Sequence, residues 1–105
     1  MTVPSPVTLE ARLAAIAAAG QTITYGDLAR ELGLRVADLT ARLEQLMEED
    51  ARAGKPLRAA VLRQRLSPGQ LPAPGFFDKA AGLGFQFSDH AAFARYHRRR
   101  LVGTG

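Results

Sequence analysis

Residues 21–36 read QTITYGDLARELGLRV, and this stretch decides the predicted fold because it holds a short helix together with its start and stop signals. Thr24 is a favourable N-cap residue, and Asp27, three residues later, can complete a capping box. Gly33 supplies the left-handed conformation in which helices commonly end. The pattern therefore predicts a helix from Tyr25 to Leu32.

Longer helical patterns flank this short helix. Apolar residues at helical spacing begin at Leu9, and the pattern ends before Gly20. A third helix is predicted to begin near Arg35 and to end near Gly54. Arg35 stands where Ser, Thr, Asp or Asn would be expected as a cap. The apolar positions of the third helix are Val36, Leu39, Leu43, Leu46 and Met47.

The second half of the chain predicts one strand and two further helices. Residues 57–66 are the best strand candidate, and residues 67–75 form a loop because they contain three prolines and two glycines. A short helix is predicted over residues 76–83. Ser88 is expected to cap a last helix that continues through Leu101.

This order of elements predicts a mostly α fold with a small β component, a winged helix-turn-helix with additional C-terminal helices. Residues 8–101 would form a single domain, with a flexible lead at 1–7 and a C-terminal tail at 102–105. The predicted core comprises Leu13, Ile16, Ile23, Leu28, Leu32, Leu39, Leu43, Leu46, Val61, Phe76, Phe77 and Phe93.

The positive charge of the chain is concentrated in its second half. Residues 1–54 hold five arginines and eight acidic residues, which gives −3, and residues 55–105 hold nine basic and two acidic residues, which gives +7. Such an asymmetry can attract an anionic partner. It is equally typical of a solvated face with a basic tail.

The residue types needed for catalysis or metal binding are sparse. The sequence has no cysteine, which excludes disulfides, thiolate nucleophiles and cysteine-ligated metals. His90 and His97 lie two helical turns apart, too far to share one ion, and Glu48, Glu49 and Asp50 fan outward from a helix. We therefore expect no enzymatic activity, no metal, no other cofactor and no small-molecule substrate.

The N-terminus lacks the pattern of a signal peptide, and no segment has the length of a membrane span. A cytoplasmic location and no membrane partner are therefore expected.

Four short segments carry a resemblance to a known family. TYGDLA at 24–29, KPL at 55–57, VLRQRL at 61–66 and Gly75-Phe76 resemble the winged-helix domain of O6-alkylguanine-DNA alkyltransferases and alkyltransferase-like proteins, over roughly residues 8–84. The resemblance implies a DNA-binding winged helix.

The chain departs from that family at the residues that carry its chemistry. In the family's Pro-Cys-His-Arg signature, Arg63 stands where the alkyl-accepting Cys would be, Gln64 replaces the activating His, and Arg65 matches the signature Arg. Without a thiolate no alkyl transfer is possible. The Trp that alkyltransferase-like proteins can carry at the Cys position is also absent.

A non-catalytic nucleic-acid-binding module, acting mainly on the phosphate backbone, is the favoured function. DNA is the expected partner, and RNA stays open. The alternative is a protein-interaction module that docks through the third helix, because that helix carries acidic residues that phosphates would repel. The candidate nucleic-acid contacts are Tyr25, Arg35, Arg42, Lys55, Arg58, Arg63, Gln64, Arg65, Arg98 and Arg99.

Overall fold

A computed structural model describes residues 8–103 of the chain. Five helices and two short strands follow one another, with a 3-10 helix before the second strand. The elements are α1 (Leu9–Ala18), β1 (Ile23–Thr24), α2 (Tyr25–Leu32), α3 (Val36–Ala53), the 3-10 helix (Arg58–Val61), β2 (Leu62–Arg63), α4 (Pro74–Gly82) and α5 (His90–Gly103). The mostly α class with a small β component is confirmed. The winged-helix assignment within that class stays a prediction.

Local signals set the bounds of α2 as predicted. The Thr24 hydroxyl accepts a hydrogen bond from the Asp27 backbone N–H at 3.2 Å, and Gly33 ends the helix in the left-handed region with a φ of 67°. Both devices satisfy backbone groups that a helix end leaves without partners. The Asp27 carboxylate pairs with Arg30.

The bounds of α3 also follow the sequence pattern. Gly54 ends this helix with a φ of 68°, and Arg35 occupies the N-cap position without making a side-chain capping hydrogen bond. The Arg35 guanidinium instead pairs with Asp38 one turn further on.

The prediction of a strand over residues 57–66 is wrong for most of that segment. The chain forms a 3-10 helix there, and only Leu62 and Arg63 pair in parallel with β1, in the register Ile23 with Leu62 and Thr24 with Arg63. One reason is that β1 is two residues long, so it offers no partner for a longer strand. The other is that the buried Asp50 carboxylate accepts the Arg58 backbone N–H at 3.0 Å, which turns the chain.

The two C-terminal helices are displaced slightly from their predicted bounds. α4 begins at Pro74, because a proline is tolerated in the first turn of a helix, where its N–H is not needed. Asp89 rather than Ser88 accepts the capping hydrogen bond, from the Ala92 N–H. α5 continues through Gly103, so the predicted tail at 102–105 begins inside this helix. The predicted lead at 1–7 and residues 104–105 lie outside the described residues.

The 3-10 helix lies at the centre of the packing, in contact with α1, α3 and α5. Ala59, Ala60 and Val61 are all buried, as small consecutive residues can be when helices surround them. Of the predicted core, Ile23, Leu32 and Phe93 are partly buried against the cluster and the other nine residues are buried. Leu9, Met47, Leu57 and Leu62 are further buried members.

Candidate nucleic-acid interface

Tyr25, the first residue of α2, connects this helix to the segment that precedes α4. Its hydroxyl oxygen accepts a hydrogen bond from the Ala73 backbone N–H at 3.0 Å. Burial raises the pKa of the Tyr25 phenol, and the hydrogen bond from Ala73 and the charge of Arg98 oppose that rise. Tyr25 is therefore a neutral, fixed side chain, and its ring borders two surface depressions.

The first depression is an open cleft at the N-terminus of α2, with a volume of about 510 Å³. We call it the arginine cleft. Its lining residues are Thr24, Tyr25, Gly26, Asp27, Arg30, Arg63 and Arg65.

Three arginines reach this cleft from two parts of the chain. Arg63 lies on β2 and donates from Nε to the Thr22 hydroxyl at 3.2 Å. Arg65 is exposed, and both side chains line the cleft although β2 ends at Arg63. Arg30 comes from α2 and pairs with Asp27 at 3.2 Å, a contact in which both side chains are largely exposed.

Sequence reasoning did not single out Arg30. A usable signal was present, because Arg30 follows Gly26 by four residues and therefore lies on the same face of α2, one turn along. The four-residue spacing brings its side chain to the face that also carries the helix N-terminus.

The second depression is lined mainly by apolar side chains and has a volume of about 350 Å³. We call it the apolar pocket. It shares Tyr25 and Arg65 with the arginine cleft, and Gln64 also lines it. The remaining lining residues are Val36, Thr40, Leu43, Glu44, Met47, Ala59, Ala73, Gly75 and Phe76.

Two of the predicted contact residues are used inside the protein instead. Arg58 forms an ion pair with the buried Asp50 at 2.8 Å, and the hydrogen bond that Arg58 donates to that carboxylate raises the pKa of Arg58. Arg98 donates to the backbone carbonyls of Ala60, Leu62 and Gln70, and desolvation lowers its pKa. The Nε and Nη2 groups of both arginines are therefore engaged by the protein.

Four further predicted contact residues lie away from the arginine cleft. Lys55 lines depressions beside Asp50 and His97, and Arg99 lines a groove between α1 and α5. Arg42 is two residues from Thr40 and from Glu44, which places it on the other side of α3 from the apolar pocket. Arg35 is exposed and paired with Asp38. The structure thus brings together Tyr25, Arg63, Gln64 and Arg65 from the predicted set.

Both histidines interact with neighbouring residues of the fold. His97 is buried, and its Nδ1 accepts a hydrogen bond from the Leu57 backbone N–H at 3.0 Å. Burial, with a smaller contribution from Arg100, lowers the pKa of His97 to about 4. The His90 ring stacks on Phe77 with centroids 4.1 Å apart. Within residues 8–103, no group of three or more His, Cys, Asp or Glu side chains is arranged to hold a metal ion.

No helix in the described part of the chain is both long and apolar enough to cross a membrane. The chain matches no protein-family model, and comparisons with curated proteins and with solved structures give no match either. The resemblance to the alkyltransferase family therefore stays a prediction from the residues that carry it.

Proposed function

We propose that this chain is a non-catalytic DNA-binding module that holds the phosphate backbone in the arginine cleft. The observation that carries the proposal is the convergence of Arg30, Arg63 and Arg65 at the N-terminus of α2. Guanidinium groups bind phosphate oxygens in a bidentate manner, and the N-terminus of a helix favours negative charge through its free N–H groups and its dipole.

The hydrogen bonds of the cleft support this function because they leave donors free. Arg63 uses Nε for Thr22, and a guanidinium has further N–H groups on its two terminal nitrogens. The Arg30 pair with Asp27 is exposed, so it contributes little and can open when a phosphate approaches. Phosphate contacts of this kind position a duplex without reading its sequence.

The proposal predicts a binding curve dominated by salt. Three phosphate contacts correspond to a slope of about −3 in a plot of log K against log salt, and to a dissociation constant on the order of micromolar or weaker at physiological salt. We expect the double variant Arg63→Glu/Arg65→Glu to weaken binding to all duplex sequences by more than about tenfold and to reduce the slope by about 2. Fluorescence anisotropy of a labelled duplex between about 50 and 200 mM salt, a range in which phosphate contacts respond strongly, measures both.

The matched control is Arg52→Glu/Arg95→Glu, which changes the net charge equally. Both of these arginines are exposed and neither lines the cleft. If the two double variants weaken binding alike, the attraction is a property of net charge and the cleft is not the site. If the wild type fails to bind at the lowest salt concentration, the DNA-binding function is refuted.

Docking of a protein partner through α3 is the second candidate, and the apolar pocket favours it. α3 contributes five residues to the lining of that pocket, Val36, Thr40, Leu43, Glu44 and Met47, and Val36 is exposed. A partner side chain inserted there would bury apolar surface that now faces water. If docking is the function, Thr40→Trp fills the pocket and abolishes binding of an apolar fluorescent dye, whereas the DNA affinity and its salt slope stay at their wild-type values.

A further inference from the structure

Leu66 is the most exposed large apolar side chain of the described residues. It is 89% exposed, whereas the exposed apolar side chains on helices, Val36, Tyr96 and Val102, are each just under half exposed. Single exposed aliphatic residues are common on protein surfaces. The exposure of Leu66 is informative because of the hydrogen bonds that fix its loop and the charged side chains beside it.

The loop that carries Leu66 is closed by hydrogen bonds. The Gln64 backbone N–H donates to the Leu71 carbonyl at 2.8 Å, and the Ser67 N–H donates back to the Gln64 carbonyl. The Ser67 hydroxyl in turn accepts the Leu71 N–H at 2.9 Å. Arg65 and Leu66 are therefore the two central residues of the first of two turns in a closed loop, residues 64–71, which we call the Leu66 loop.

The Leu66 loop is also fastened to the body of the protein. Arg98 on α5 donates to the carbonyls of Leu62 and Gln70, at 3.1 and 2.7 Å, and these two residues lie before and after the turn that carries Leu66. Gln70 has a φ of 53°, a left-handed conformation that a non-glycine residue keeps only when its surroundings enforce it. The fold thus holds an aliphatic side chain in water on a constrained turn.

The charges around Leu66 indicate what kind of partner it meets. Arg65 precedes it in the same turn, and Arg63 and Arg65 both line the arginine cleft. A partner that fits this turn presents negative charge beside an apolar slot. The stacked base pairs of duplex DNA, bordered by phosphates, have this arrangement, and proteins that bend DNA insert Leu, Ile, Met or Phe between base pairs.

We propose that Leu66 is a wedge that enters the base stack of duplex DNA while Arg63 and Arg65 hold the flanking phosphates. This inference rests on the proposed function and adds to it a selectivity that the phosphate contacts lack. A wedge binds best where base pairs separate easily, which is at mismatches and at pyrimidine–purine steps such as TA. The chain accordingly distinguishes duplexes by their deformability and not by the edges of their bases.

The first test compares the wild type with Leu66→Ser on a duplex that contains a mismatch beside a 2-aminopurine base. The wild type raises the 2-aminopurine fluorescence because unstacking relieves its quenching, and it binds this duplex about tenfold more tightly than the fully matched one. Leu66→Ser removes the fluorescence rise and reduces the preference to about one. Val102→Ser is the matched control, since Val102 is an exposed aliphatic residue on α5, and it behaves as the wild type does.

The second test uses the absence of tryptophan from the sequence. Leu66→Trp introduces a single tryptophan in the Leu66 loop, and its emission is quenched when the indole stacks between bases. The emission of Val102→Trp does not change on adding the same duplex. Far-ultraviolet circular dichroism confirms that each variant is folded, as expected for substitutions at exposed positions.

The outcomes separate the wedge from the proposed function. If wild type and Leu66→Ser bind matched and mismatched duplexes equally and give the same 2-aminopurine signal, the wedge is refuted and phosphate binding stands. If the wild type binds no duplex, both proposals fall together. If Leu66→Ser leaves DNA binding unchanged but abolishes binding to vesicles of equal parts phosphatidylglycerol and phosphatidylcholine, Leu66 serves to bind an anionic membrane surface and the wedge is refuted.

Discussion

At the scale of single residues, His97 shows how a titratable side chain becomes part of a core. Its ring lies within 5.5 Å of the rings of Phe85, Phe93 and Tyr96, measured between centroids. Because Nδ1 accepts the Leu57 N–H, the neutral ring carries its proton on Nε2, which has no hydrogen-bond partner in the protein. Protonation of Nδ1 would break the bond to Leu57 and place a charge among apolar rings.

The free energy of unfolding should therefore decrease as the pH is lowered through the range in which His97 titrates. The pKa of this residue is about 4 in the folded state, against an ordinary value of 6.5. The unfolded chain thus binds a proton that the folded chain does not, so the free energy of unfolding decreases as the pH falls from about 6.5 to about 4. The loss approaches about 2 to 3 kcal/mol.

Urea unfolding of the wild type and of His97→Gln between pH 7 and pH 4 separates the contribution of His97 from that of the carboxylates. The glutamine in this variant cannot titrate, so the stability advantage of the wild type should be largest at pH 7 and should shrink as the pH falls. His90→Gln serves as the control, because His90 is exposed. A constant difference between wild type and His97→Gln over this range would contradict the prediction.

At the scale of elements, Arg98 joins the segment 60–70 to α5. One guanidinium satisfies three carbonyls, those of Ala60, Leu62 and Gln70. This planar fork cannot be reproduced by an ammonium group, which carries its donors on a single nitrogen. The position of β2 and of the Leu66 loop therefore depends on a residue that is far from both in the sequence.

Replacing Arg98 with Lys should loosen this segment while leaving the helices in place. We expect a loss of about 1 to 3 kcal/mol in the free energy of unfolding, because the carbonyls of the buried Ala60 and Leu62 lose their donor. Hydrogen exchange should accelerate at the amides of Gln64, Gln70 and Leu71, which form the internal hydrogen bonds of the loop. Arg99→Lys, at an exposed neighbouring position, provides the comparison. Equal exchange rates in both variants would show that the hydrogen bonds of Arg98 do not hold this segment in place.

At the scale of the whole molecule, the fold uses part of its charge internally. Arg58 and Lys79 are paired with Asp50 and Glu48, and Arg98 is bound to carbonyls. The surplus of the second half is therefore only partly available to a partner. Where a charge lies relative to the arginine cleft should matter more for binding than its contribution to the total.

Two substitutions that change the net charge equally can separate local from global attraction. Glu44 lines the apolar pocket together with Arg65, and Glu49 lies on α3 away from both the pocket and the cleft. We expect Glu44→Lys to tighten DNA binding roughly three- to tenfold at low salt and Glu49→Lys to change it less than about twofold. Anisotropy titrations at low salt measure both, and equal effects would favour a response to net charge alone.

The sequence by itself determined what depends on neighbouring residues. The bounds of α2 and the end of α3 follow from Thr24, Gly33 and Gly54, because a cap or a left-handed glycine acts within one turn of the chain. The core positions on α3 follow from spacing in the same way. The sequence alone also establishes that position 63 carries an arginine and no thiol.

Only the tertiary structure decided which arginines are available for binding and where the predicted strand ends. Asp50 and the carbonyls of residues 60, 62 and 70 engage Arg58 and Arg98, and the shortness of β1 limits β2 to two residues. Arg30 reaches Arg63 and Arg65 only because β1 pairs with β2, which brings their segments side by side. These contacts join groups distant in sequence, and their geometry is fixed by how helices pack, which no local pattern encodes.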